Sequence, residues 1–182
     1  MTDDLVAWAE RVAREQLRAL PRRLRHVEGV ARRAASVADT VDDPKLLVAV
    51  AWLHDIGYSA ELATTGFHPV DGAEFLHAEG ASHRLCALVA NHSCACVEAR
   101  HRGVPIRWED EETPLRDALW WADMTTTPTG EPTDAQSRIA EVLARYGPDH
   151  VVAASVAESA PQLLAAVERT EATARLAGVD VR

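Results

Sequence analysis

Apolar residues in this chain recur every three or four positions, and strict alternation of apolar with polar residues is scarce. Leu24, Val27, Ala31, Ala34, Ala38 and Val41 show the pattern. On a helix they form one stripe, whereas on a strand they would scatter over both faces. Ala, Leu, Arg and Glu are abundant, which suits the same state. The fold class expected is therefore all-α, with Pro and Gly setting the boundaries. A first helix is predicted from Asp3 to Leu20, stopping before Pro21, and a second from Arg22 to Thr40. A third should start at Pro44, a favoured first-turn residue, and run to His54. Ile56 to Phe67 reads as loop, His68-Pro69 as the start of a short helix, and Ser82 as the cap of a helix reaching His92. Ala99 to Pro114 is expected to be loop, Leu115 to Thr125 helix, and TTPTGEPT a turn. Two or three helices should fill Asp134 to Ala177, broken at Gly147-Pro148 and at Pro161.

With 182 residues, 47% of them hydrophobic, the chain can bury the core of a single domain spanning 1–182. The formal net charge of −9 argues against a nucleic-acid polymer as partner. A small phosphorylated ligand is compatible with it, because one arginine or metal ion can dominate a local site. Cys86, Cys94 and Cys96 are too few for a disulfide framework. The charged, amphipathic start lacks a signal-peptide core, and no run of about eighteen apolar residues occurs. A cytoplasmic protein without membrane association is expected, and the amphipathic first helix leaves a homodimer open.

One stretch departs from the pattern. In AWLHDIGY, residues 51–58, an apolar run built for burial ends in His54 and Asp55. His26 lies at the edge of the second helix's apolar stripe, where a side chain can reach a cleft between helices. Asp123 flanks the apolar face of Leu115, Leu119 and Ala122. An inward carboxylate needs a partner, and a shared cation would satisfy His26, His54, Asp55 and Asp123 together. Imidazole and carboxylate donors suit zinc, manganese, iron or cobalt. His68 stands at a helix start, and His92 continues the inward pattern of Leu85, Leu88 and Val89. Each has a plainer reading: His92 as a hydrogen-bonded core residue, Asp55 as a helix end, Asp123 as an arginine's partner. His77, His83, His101 and His150 read as surface residues, and Trp52, Trp120 and Trp121 as core. A zinc site from His92, Cys94, Cys96 and His101 is the weaker arrangement, because Cys-x-Cys is not the usual spacing and no second pair exists.

The joint order is more informative than any member. RHVEGVARRAASVA around His26, LLVAVAWLHDIG around His54-Asp55 and WADMTT around Asp123 resemble the HD-domain superfamily of metal-dependent phosphohydrolases. The resemblance spans about 22–127, with additional C-terminal helices over about 133–178. It implies an HD-domain helical bundle. TTGFHPVDGAEFL and LVANHSCA further resemble the six-ligand subgroup, in which His68 and His92 would complete a second site. By that resemblance His26, His54, Asp55 and Asp123 hold one divalent ion, and Asp55 bridges to another. The ions would come from Mn, Fe, Zn, Co or Mg. The implied activity is hydrolysis of a phosphomonoester or phosphoanhydride, of a nucleotide, by metal-activated hydroxide, with His54 and Asp55 at its centre. Arg23, one turn before His26, would contact the phosphate. Many relatives carry Lys where this chain has Tyr58, and the Gly-Tyr-Pro that follows in cyclic-di-GMP phosphodiesterases is missing. Six-ligand relatives that hold a mixed-valent di-iron centre and perform oxygenation share these ligands. A non-catalytic, metal-binding regulatory module is the third reading.

Overall fold

A computed structural model describes residues 5–181, which form helices joined by turns, with one isolated bridge between Thr126 and Pro132. The all-α expectation holds throughout the described residues. The helices are α1 (Leu5–Gln16), α2 (Pro21–Val37), α3 (Pro44–Leu53), α4 (His68–Ala78) and α5 (His83–Ala90). They continue with α6 (Ala95–Arg102), α7 (Pro114–Met124), α8 (Ala135–Tyr146) and α9 (Val151–Leu176). The predicted start of the first helix at Asp3 lies outside the described residues.

Helix α3 is the axis of the bundle. Leu46, Leu47, Ala49, Val50, Ala51, Trp52 and Leu53 are all buried, so it is apolar around its whole circumference. Helices α1, α2, α5 and α7 pack around it. Pro44 opens it, and the Asp43 carboxylate accepts the Leu46 amide at 3.0 Å. A helix this deeply buried delivers whatever follows Leu53 into the interior. The following residues are His54 and Asp55.

Helix α9 lies along α6, α7 and α8 and covers the far side of α7. A break was expected at Pro161, but α9 runs through it. The proline removes one hydrogen bond, to the carbonyl of Ala157, and both residues are exposed, so water can satisfy that carbonyl. The buried stripe of Ala153, Leu163, Ala166 and Ala174 continues across the site of the lost bond. Other boundaries differ from expectation as well: α1 stops at Gln16 rather than Leu20, and α2 stops at Val37, with a 3-10 turn carrying on to Thr40. The segment from Ala99 begins inside α6, which ends at Arg102 with Gly103 in the left-handed region. Helix α5 stops at Ala90, and His92 sits in a 3-10 turn whose Ser93 and Cys94 have φ of 47° and 62°. That reversal was invisible to periodicity, because Leu85, Leu88 and Val89 continue straight into His92 on paper. Among the described residues no helix is long and apolar enough to cross a membrane.

Candidate metal centre

Three helices end at one place. His54 follows α3, His92 follows α5 by two residues, and Asp123 lies in the last turn of α7. Helix C-termini carry unsatisfied carbonyls and partial negative charge, so this convergence favours a cation. His26 enters from α2, and His68 from the first turn of α4.

The approach of α4 depends on Gly57. A Cβ at that position would lie 2.0 Å from the His68 carbonyl oxygen and 2.7 Å from the Gly72 amide nitrogen. The glycine of HDIG is therefore a contact glycine, which lets the 3-10 turn Ile56–Tyr58 touch α4. Asp71 then anchors the loop ahead of His68, accepting from the Thr65 amide and hydroxyl at 2.8 Å each and from the Gly66 amide at 3.0 Å. On the opposite side Gly29 and Gly130 bring the 127–132 turn against α2, where an added Cβ on Gly29 would meet the Gly130 oxygen at 2.5 Å. That turn presents the Thr127 carbonyl to His26.

Three imidazoles are fixed in the same way. Nδ1 of His26 faces the Thr127 carbonyl at 3.0 Å, Nδ1 of His54 the Ala51 carbonyl at 2.8 Å, and Nδ1 of His92 the Val89 carbonyl at 2.7 Å. A carbonyl only accepts, so each Nδ1 carries the proton and Nε2 is turned inward as a donor atom for a cation. Around them the carboxylate of Asp55 divides the site. Its Oδ2 lies 3.4 Å from His54 Nε2 and 3.7 Å from His26 Nε2, while Oδ1 lies 3.2 Å from His68 Nε2 and 3.6 Å from His92 Nε2. Asp123 Oδ1 stands on the first side, 3.0 Å from His26 Nε2 and 3.9 Å from His54 Nε2. His26, His54 and Asp55 form one group with donor atoms within 4.8 Å of one another, and Asp55, His68 and His92 form another. All six side chains expected from sequence thus meet, and Asp55 is common to both groups.

These residues fit a bound cation. His54 is fully buried, and its Nε2 is without a hydrogen-bond partner among the described residues. Such an orphan costs about 1–3 kcal/mol unless something positive faces it. Burial works against charge on His54, but Asp55 and Asp123 outweigh it and push the imidazole up to about 9. The same field that would hold a proton at Nε2 can hold a metal ion there. His92 goes the other way: burial, then His54 and His68, push it down to about 4, which leaves a neutral ligand. Burial favours protonated Asp55, yet Arg23, His54 and His68 hold it well below the usual carboxylate range. Asp123 is likewise held low against burial by its close contact with His26 and by the charge of His54.

Arg23 reaches the site as well. Its Nη1 donates to Asp55 Oδ2 at 2.6 Å, and its guanidinium lies 3.9 Å over the Tyr58 ring. Tyr58 is stacked on His68, with ring centroids 3.9 Å apart and planes at 20°. Two groups that close cannot share one ring face, so Tyr58 is sandwiched between arginine and histidine. Several contributors were not legible in the sequence. Ser93 donates to Asp123 Oδ2 from its left-handed turn, and nothing in the local pattern announces that turn. Helices α8 and α9 close the cavity with Arg138, Val142, Arg145, Tyr146, Val156 and Leu163. The residues read as surface histidines, His77, His83, His101 and His150, are exposed. Trp52, Trp120 and Trp121 are buried. Cys86 and Cys94 are buried and Cys96 exposed, and among the described residues no metal-holding group includes a cysteine.

The family model described as HD domain matches residues 23–146, a span that takes in all six convergent side chains. No curated protein and no solved structure gave a match.

Proposed function

The chain belongs to the HD-domain family, typically metal-dependent hydrolases, and from that premise we propose that it cleaves a phosphomonoester or phosphoanhydride of a nucleotide. The observation that carries this reading is the partition of the histidine donors between the two oxygens of one buried carboxylate. We assign His26, His54, Asp55 and Asp123 to one divalent ion, and Asp55, His68 and His92 to a second. Mn, Fe, Zn, Co and Mg are the candidates. When bound, such ions activate a water as nucleophile and neutralise charge on the phosphate.

The protein's own side chains have separate tasks. The Nδ1–H bonds to Thr127, Ala51 and Val89 hold three rings in the ligating tautomer without further reorganisation. Arg23 spends one nitrogen on Asp55, and its remaining N–H donors are available to a phosphate oxygen. Tyr58 fixes the plane of that guanidinium. Burial and Asp55 act on Arg23 in opposite directions, and the carboxylate prevails, so its charge is secure at any working pH. Val142, Val152, Val156 and Leu163 form an apolar wall that limits competing water.

Elemental analysis of protein purified without added metal, followed by a panel of nucleotides and simple phosphoesters, tests the proposal. Metal-dependent phosphate release, abolished in Asp55→Ala together with metal binding, is the expected result. Iron accompanied by oxygen uptake without phosphate release would replace hydrolysis with oxygenation. Two bound ions with no turnover of any panel member would favour the regulatory module.

A further inference from the structure

The cavity at the six donors is about 120 Å³. Sites for whole organic ligands run to roughly 300–1,000 Å³, so this compartment suits a phosphoryl group and little more. A second cleft of about 390 Å³ adjoins it, and Arg23, Tyr58 and Arg145 line both. The remainder of the second cleft includes Leu20, Pro21 and Arg22 from the start of α2, and Pro128 from the turn that holds His26.

The charge of this second cleft runs against that of the chain. The protein carries 28 acidic and 19 basic side chains, yet three arginines and no carboxylate line the cleft. Arg22 is exposed and makes no ion pair among the described residues. Arg145 pairs with Glu141, but Glu141 also pairs with Arg138, so that trio keeps a net positive charge. Arg23 is the hinge between compartments, bonded to Asp55 on one side and flat on Tyr58 on the other. Positive charge at the threshold and an apolar floor of Leu20, Pro21 and Pro128 suit an anion followed by a less polar body.

We propose that the second cleft is a leaving-group subsite, in which Arg145 and Arg22, with Arg23 at the threshold, hold a second phosphate of the substrate. The preferred substrate class is then a phosphoanhydride whose leaving group carries its own phosphate, such as a nucleoside polyphosphate, rather than a simple monoester. This deepens the hydrolase reading and rests on it for the word leaving, but the subsite itself is a binding claim. Arg145 is a specificity residue supplied by α8, contributed to the cavity from outside the segment that carries the six donors.

Equilibrium titration of metal-loaded protein with orthophosphate and with α,β-methylene-ADP, whose bridge cannot be hydrolysed, tests the subsite apart from turnover. The analogue should bind at least about 10-fold more tightly than orthophosphate. Arg145→Ala should cut that ratio by about 10- to 100-fold or to near one, the loss expected of a charge-assisted hydrogen bond. Arg145→Lys should restore part of it. Melting temperature and metal content of each variant check that the fold is intact. A wild-type ratio near one, or a ratio unchanged in Arg145→Ala, overturns the subsite even if the protein proves to be a hydrolase. A ratio that behaves as expected, with no turnover of any panel member, keeps the subsite and removes the hydrolase reading.

Discussion

Gly57→Ala is a sharp test of how the fold assembles the centre. Gly57 is not among the residues with positive φ, so alanine can adopt its backbone conformation and only the contact is at issue. The added Cβ would lie 2.0 Å from the His68 carbonyl oxygen, and ordinary contact begins at 3.4 Å, so the turn and α4 must part by about 1.4 Å. Both atoms at the clash belong to backbone, which leaves no side chain to rotate away. Overpacking of this kind costs about 1–3 kcal/mol. For a chain of this size each kcal/mol lowers Tm by about 2–4 °C, giving an expected fall of about 2–12 °C. The same displacement moves His68, whose Nε2 lies 3.2 Å from Asp55 Oδ1. Metal ligands tolerate only about 0.2 Å of error, so the ion assigned to His68 and His92 should be lost before the other. Gly80→Ala is the control. Gly80 has φ of 82° with nothing within 4 Å of an added Cβ, and sits at the opposite end of α4 from His68. It should cost about 1–2 kcal/mol of backbone strain and leave metal stoichiometry unchanged. Differential scanning fluorimetry and elemental analysis read both outcomes. A Gly57→Ala protein with unchanged Tm and two ions per chain would refute the contact argument.

Other expectations follow from the same geometry. His92→Ala should leave one ion per chain by elemental analysis, and retention of two would break the six-donor assignment. Asp71→Ala removes the acceptor for three hydrogen bonds, so it should cost about 1–3 kcal/mol in denaturant titration and expose the 59–67 loop to limited proteolysis. In chelator-treated protein, His54 is raised from 6.5 to about 9, so its stabilisation is complete below pH 6.5 and vanishes as pH rises through 9. His92, lowered from 6.5 to about 4, contributes above pH 6.5 and is lost as pH falls through 4. Tm of the chelated protein should therefore peak near pH 6.5, and metal loading should flatten the alkaline fall, because the ion replaces the proton on His54.

The periodicity of apolar residues gave the helices, and the His54-Asp55 doublet gave the floor of the site, because a helix buried on every side must deliver its C-terminus inward. His26 was legible for a different reason, its place beside the apolar stripe of α2. What escaped the sequence were features that depend on contact across the fold. Ser93 and Cys94 leave the helical region just after His92, and two non-glycine residues in the left-handed region carry no local signal. Gly57 looks like a turn glycine until α4 is in place against it. The continuation of α9 through Pro161 depends on the exposure of Ala157. Arg145 could not be joined to the site by any spacing rule, since α8 reaches the cavity only by packing.

The placement of three of the six donors has one physical explanation. His54 and His92 each follow a helix and each donate Nδ1–H to the carbonyl three residues earlier, so the free carbonyls at the helix ends orient the rings. Those carbonyls also supply the negative end of the helix dipole, and Asp123 adds its charge at a third such end. Ring orientation and a negative potential that could hold a cation thus arise from the same backbone groups. Such an arrangement tolerates exchange of core side chains along the helices, provided that the places where α3, α5 and α7 stop are kept. The selectivity of the protein would then have to come from elements added around those ends, and α8, carrying Arg138, Arg145 and Tyr146 into the cavity, is the element positioned to provide it.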